Sequence, residues 1–209
     1  MKKIAFILFL MMLVTAGAFA EFSMSIGGGL LTDISFGNGY QYVEYEDAIN
    51  NYGIGGFVFF DVTYAEIDIY FAYGILDIVT KSGDQTQKKG GGSLQLGFEL
   101  IGKYPFYPGR VILFPLLGFK YNLALTFKNE GGDDFFPGNS AVEYFSQFSI
   151  LIGVGLDIPF TSNIFLRTEV MLSSRFPSKY MNDIVEKNQE ATATIGIGPR
   201  AKIAVGYKF

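Results

Sequence analysis

The sequence predicts an all-β chain: an eight-stranded antiparallel up-and-down transmembrane β-barrel. Three observations predict it. The chain ends in Ala201-Lys202-Ile203-Ala204-Val205-Gly206-Tyr207-Lys208-Phe209, apolar at every odd position. Successive strand side chains point to opposite faces, so one face of this segment is apolar and the other carries Lys202 and Lys208. Hydrophobic residues make up 49% of the chain at a mean hydropathy of +0.28, yet past residue 20 no apolar run approaches the ~20 residues a spanning helix needs. Glycine (26 residues), phenylalanine (22) and tyrosine (13) supply the small interior positions and interfacial aromatics of a membrane barrel.

The first twenty residues stand apart from this pattern. Lys2 and Lys3 precede an apolar run over 4–14, and Ala18-Phe19-Ala20 offers small residues before Glu21. Residues 1–20 are therefore expected to be a cleaved secretory signal peptide, and residues 21–209 the barrel. Removing Lys2 and Lys3 leaves 14 bases against 20 acids. An acidic chain with no basic face argues against nucleic acid as a partner. Cysteine is absent, which excludes disulfides, thiolate chemistry and a lipid anchor on an N-terminal cysteine.

Segments of about ten alternating residues follow one another, joined by long and short connections in turn. The first, 22–32, sets Met24, Ile26 and Leu30 outward, and a long loop is expected over 37–51. The second, 53–63, places Val58, Phe60 and Val62 outward, although Phe57 and Phe59 blur its alternation. After a tight turn at Tyr64, the third, 65–79, alternates strictly: Ile67, Ile69, Phe71, Tyr73 and Ile75 against Glu66, Asp68, Tyr70, Ala72 and Gly74. The fourth, 92–103, ends at Tyr104-Pro105-Phe106-Tyr107-Pro108-Gly109, where two prolines withhold ladder donors. The fifth, 111–127, carries Leu117, Phe119 and Tyr121 outward, with a bulge expected at Pro115. A loop over 128–143 leads to the sixth, 144–158. A turn at 159–163 leads to the seventh, and a loop over 174–190 to the final strand. Four long loops thus fall on one side, and three short turns with both chain ends on the other.

Charge collects on the small-residue face. Asp61, Glu66, Asp68, Glu99, Asp157 and Glu169 are expected inward, as are Lys103, Lys120, Arg167, Arg200, Lys202 and Lys208. Eight strands leave an interior just wide enough for side chains. Unpaired charge there costs several kcal/mol by order of magnitude, so equal numbers of acids and bases predict an internal salt-bridged network. Two readings of it stay open: structural packing, or a narrow gated pore whose charges swing aside.

Enzyme chemistry is not expected. Without histidine the usual base of a serine nucleophile and the commonest metal ligand are both missing. Gly196-Ile197-Gly198-Pro199-Arg200-Ala201 imitates a dinucleotide motif but lies in an alternating strand and opens no helix. Gly131-Gly132-Asp133-Asp134 reads as a solvated acidic loop, so neither a metal nor another cofactor is expected. Tyr40, Tyr42 and Tyr45 in the first loop, with Phe135 and Phe136 in the third, offer aromatic surface for a host or cell-envelope ligand, or for closing the barrel mouth.

From Glu21 to Phe209 the chain resembles the small bacterial outer-membrane barrels: the OmpA membrane domain, OmpX and the OmpW-like proteins. The motif that carries the resemblance is the terminal strand with Ile203, Val205, Tyr207 and Phe209. The resemblance implies an outer-membrane location after export to the periplasm, and outer-membrane lipid as surroundings. It also implies periplasmic chaperones and the outer-membrane insertion machinery as partners, with Phe209 read as an insertion signal. The OmpW likeness implies a channel for small or hydrophobic solutes; a closed-lumen scaffold or adhesin acting through its loops is the alternative. Outer-membrane acyltransferases and phospholipases rely as families on a histidine, which this chain lacks.

Overall fold

In the computed structural model, residues 23–42, 45–134, 142, 145–187 and 191–209 are described; the expected signal peptide lies outside them. The strands are β1 (Met24–Tyr42), β2 (Tyr45–Val62), β3 (Ala65–Ser82), β4 (Gln85–Lys103), β5 (Ile112–Asn129), β6 (Gln147–Pro159), β7 (Ile164–Arg175), β8 (Ala191–Thr194) and β9 (Gly196–Lys208). A short helix, α1 (Lys179–Lys187), lies between β7 and β8. From β1 to β7 each strand pairs antiparallel with the next, β7 pairs with β9, and β9 pairs with β1, which closes the ring. β8 continues β9 past a break at Ile195 and pairs with the far end of β1. The ring therefore has eight staves. Closure leaves no open ladder around its girth, as a strand structure surrounded by lipid requires.

Polarity is inverted relative to a water-soluble barrel. Leu30 and Val170 on the outer face are 63% and 61% exposed, while Lys120 and Arg200 inside are 0% exposed. From Ala65 to Ile75 every odd residue of β3 faces out except at the rung next to the turn, and every even one is buried. That is about the 9–11 residues a tilted strand needs to cross a bilayer. Exposed aromatics ring both ends of the belt. Tyr104, Phe106, Tyr207 and Phe209 lie on the turn side, and Phe36 with Tyr52 on the loop side, their rings edge-on at 5.8 Å.

The second segment resolves cleanly: Phe57 and Phe59 point in, and Val58 and Phe60 point out. Inward rings occupy space left by glycines on the neighbouring strand. A Cβ on Gly97 would collide with the ring of Tyr70, and one on Gly155 with that of Phe114. The bare backbone is what lets these rings lie flat inside so narrow a ring.

Three expectations are corrected. The segment 37–51 is not a loop: β1 and β2 stay paired out to Tyr42 and Tyr45. Likewise β3 and β4 run on to a two-residue connection, Gly83-Asp84, with Gly83 at φ +55°. These hairpins extend past the apolar belt, where lipid no longer imposes an apolar face, so hydrophobic alternation stops while the ladder continues. Pro115 makes no bulge; it pairs in register with Val154, and its carbonyl accepts the Tyr104 N–H at 3.3 Å. Beyond Lys103 the β4 ladder is over, so the missing proline donor costs nothing. The register shifts fall instead between Ser35 and Asn38 and between Leu94 and Gln95. The second of these turns Phe127 inward.

Candidate functional site

The alternation of every strand delivers charge to one place. Among the described residues, seven acids and six bases are buried inside the ring. Five of the nine residues Glu66, Asp68, Glu99, Lys103, Lys120, Arg167, Glu169, Arg200 and Lys202 sit at rungs that face one another directly. Asp68 pairs across from Glu99, Glu99 from Lys120, and Glu169 from Lys202.

Nearest the short turns, Arg167 is the hub. Its Nε and Nη2 donate to the two oxygens of Asp157 at 2.7 Å each, Nη2 also donates to Asp61 at 2.7 Å, and Nη1 donates to Glu66. Lys103 donates to Asp61 at 2.6 Å and to Glu66 at 3.3 Å. The guanidinium carbon of Arg167 lies 4.6 Å from the ring centre of Phe59, 5.1 Å from Phe165 and 5.3 Å from Phe114. Rings shield the charge from water while their faces favour it.

In the middle, the Lys202 ammonium lies 2.9 Å from Glu99 and from Glu169, 3.9 Å from Glu66, and donates to Asp68. Glu66, Asp68 and Glu169 each offer an oxygen within 4.8 Å of the others. Lys202 already supplies the cation that this trio needs. Arg200 pairs with Glu99, reaches Asp33 at 3.2 Å and lies over the Tyr70 ring at 4.6 Å.

Toward the loops, Asp33 accepts from Lys120 at 2.5 Å and from Arg175 at 3.2 Å. Above it the lining turns to amides. Tyr70 donates to Asn122 at 3.1 Å, Asn122 to Gln95 at 3.0 Å, and Gln95 to Asn51 at 3.4 Å. Two cavities flank the column. One of about 30 Å³ lies among these amides, and one of about 150 Å³ opens at the turn end between Ser25, Tyr107 and Arg167.

The structure brings together Glu66, Asp68, Glu99, Lys103, Lys120, Arg167, Glu169, Arg200 and Lys202, along with Asp61 and Asp157. Lys208 is a correction. It is exposed at the rim of the lower cavity, because its rung lies beyond the last turn of the wall. Asp33 and Arg175 were not anticipated. Both continue the inward parity of their strands, after Leu31 in β1 and after Ser173 in β7, so carrying the alternation one rung further finds them.

Of the aromatic loop candidates, Tyr40 donates to Asp47 at 2.8 Å within its own hairpin. Tyr42 and Tyr45 pair with each other at the hairpin tip. Phe135 and Phe136 lie outside the described residues. Ile203, Val205, Tyr207 and Phe209 line the outer face of the closing strand, with Tyr207 and Phe209 edge-on at 5.5 Å.

Fold and interior together define a class: a closed eight-stranded antiparallel barrel with an apolar exterior and a charged, filled lumen. No protein-family model matches the chain, and no curated protein matches it. Among solved structures it is similar to the outer membrane protein OprG from Pseudomonas aeruginosa, at 14% identity over 90% of this chain and 95% of that one, with a TM-score of 0.48. It is also similar to the N-terminal β-barrel domain of Pseudomonas aeruginosa OprF, at 14% identity over 90% of this chain and 97% of that one, with a TM-score of 0.32. Likeness at that level adds no functional detail to what the strand ring itself displays.

Proposed function

We propose that this chain is an integral outer-membrane β-barrel whose lumen is closed across its middle by the ion-pair column, and whose activity resides at its outer, long-loop end. The observation that carries this reading is the packing of Glu66, Asp68, Lys120, Arg167, Arg200 and Lys202, all at 2% side-chain exposure or less, across the bore. A solute that crossed it would have to separate several desolvated pairs at once, each costly to break. Export through the periplasm, with residues 1–20 as leader, and insertion among outer-membrane lipids belong to the same reading. A host or envelope ligand at the paired hairpins is its functional consequence.

A narrow gated channel for small or hydrophobic solutes is the second reading. The two cavities on either side of the column favour it, since they shorten the stretch of filled bore. Planar-bilayer recording on the refolded chain separates the two. The closed barrel predicts silence from wild type, Arg167→Gln and Glu169→Gln alike; reproducible unitary currents altered by those substitutions would establish the channel instead.

We also assign the terminal strand the role of insertion signal, supported by the outward row Ile203, Val205, Tyr207 and Phe209. Deleting Phe209 should abolish assembly into the outer membrane in cells while leaving refolding in detergent intact. Heat-modifiable barrel at wild-type level in the outer-membrane fraction would overturn that role.

A further inference from the structure

The cavity of about 30 Å³ above the ion-pair column is more than a packing defect. A site of that volume holds about two waters or one ion of comparable size. Its lower wall is polar: Asn38, Asn51, Ser93, Gln95, Asn122 and Gln147, with Arg175. Its upper wall is apolar. Met181 from α1 and the stacked pair Phe127 and Phe145, with ring centres 4.2 Å apart, close it toward the outer end.

Two of its groups have no partner. Asn38 is 2% exposed, yet neither its side-chain oxygen nor its nitrogen makes a hydrogen bond, and the Nε–H of Arg175 is also unbonded. Buried polar groups left in this condition are uncommon and costly unless something fills the space beside them. The sign of that something follows from charge. Among the described residues that line the cavity, Arg175 is the only charged one. The carboxylate behind it, Asp33, is shared by three cations, Lys120, Arg175 and Arg200. The other acid reaching that group, Glu99, is itself shared with Lys202. Positive charge is therefore in excess at the floor of the cavity, whereas a metal cation there would face a guanidinium with no lining carboxylate.

We infer that this cavity is a binding site for a small monovalent anion, of halide or short carboxylate size, held between the Arg175 guanidinium and the Asn38 amide. The site is independent of whether the column below it conducts. The anion accepts from Arg175 Nε–H and Asn38 Nδ2, while the apolar roof excludes water and strengthens both contacts.

The experiment is an NMR titration of the refolded, isotope-labelled barrel in nonionic detergent and chloride-free buffer, with sodium chloride and sodium acetate in separate arms. The resonances followed are Arg175 Nε–H and the Asn38 side-chain amide. Saturable shifts of both with either anion support the site; the arm that saturates distinguishes a halide from a carboxylate. Asn38→Asp places a negative charge beside the anion and leaves every ion pair of the column in place. It should weaken binding about tenfold or more, given what a hydrogen bond to a charged group contributes, while heat-modifiable migration shows the barrel still folded. Arg175→Gln should abolish binding. Shifts that stay linear to high salt in both arms, or saturation unchanged in Asn38→Asp, would overturn the proposal.

Discussion

Arg167→Met should destabilise the barrel by about 3–5 kcal/mol, the loss expected when one partner of a buried ion pair is removed and the others stay charged. Arg167 serves three carboxylates, Asp61, Glu66 and Asp157; Lys103 is left to share the first two, with Lys202 3.9 Å from Glu66. Asp157 then has no cation in reach among the described residues. Methionine fills much of the arginine's volume between Phe59, Phe114 and Phe165, so the change reports charge and hydrogen bonding more than a cavity. Arg167→Lys should recover only part of the loss, because an ammonium cannot present the planar fork that engages Asp157 with two bonds while reaching Asp61 and Glu66. Urea unfolding in phospholipid vesicles, with folded and unfolded forms separated by unheated gel migration, measures both variants. A loss below about 1 kcal/mol for Arg167→Met would mean that water reaches these carboxylates and that the column is not the dry barrier described above.

Most of the wall was legible in the sequence because lipid imposes a strict rule on it. One face of each strand must be apolar for the full width of the membrane, so β3 reads unambiguously from Ile67 to Ile75. Legibility failed where that rule stops. Above the belt, β1 to β4 continue as hairpins that no longer face lipid, and strands such as 46–50 and 85–90 carry no alternation to separate them from loop. The same boundary hid Asp33 and Arg175, which lie just past the expected ends of the first and seventh segments. Pairing was harder still to foresee. Equal numbers of acids and bases predict a network, but which acid meets which base depends on the stagger of strands around a closed ring. Arg167 reaches Glu66 from across the bore, 101 residues away in the chain. No local pattern records a contact of that kind. The unbonded amide of Asn38 was invisible for a similar reason, since it follows from a register shift between Ser35 and Asn38 that hydropathy does not encode.

Lys202→Met provides the second large effect and a check on its cause. The ammonium touches Asp68, Glu99, Glu169 and Glu66. Removing it leaves Asp68 and Glu169 with no cation partner among the described residues and brings the mutual repulsion of the acids into the open. A loss of about 3–5 kcal/mol is expected, as for Arg167. Like charges crowded in a filled lumen should then be relieved by neutralising one of them. Lys202→Met combined with Glu169→Gln is accordingly expected to recover a substantial part of the loss, although Glu169→Gln alone, by thinning the partners of Lys202, should destabilise. That reversal of sign is the signature of coupling between touching residues. It separates electrostatics from packing, because a purely steric role for Lys202 would make the two losses add. Measured by the same vesicle unfolding assay, strict additivity would sink the claim that Lys202 holds the middle of the column as a cation, and would move the origin of its stabilising effect to the packing of its aliphatic stem.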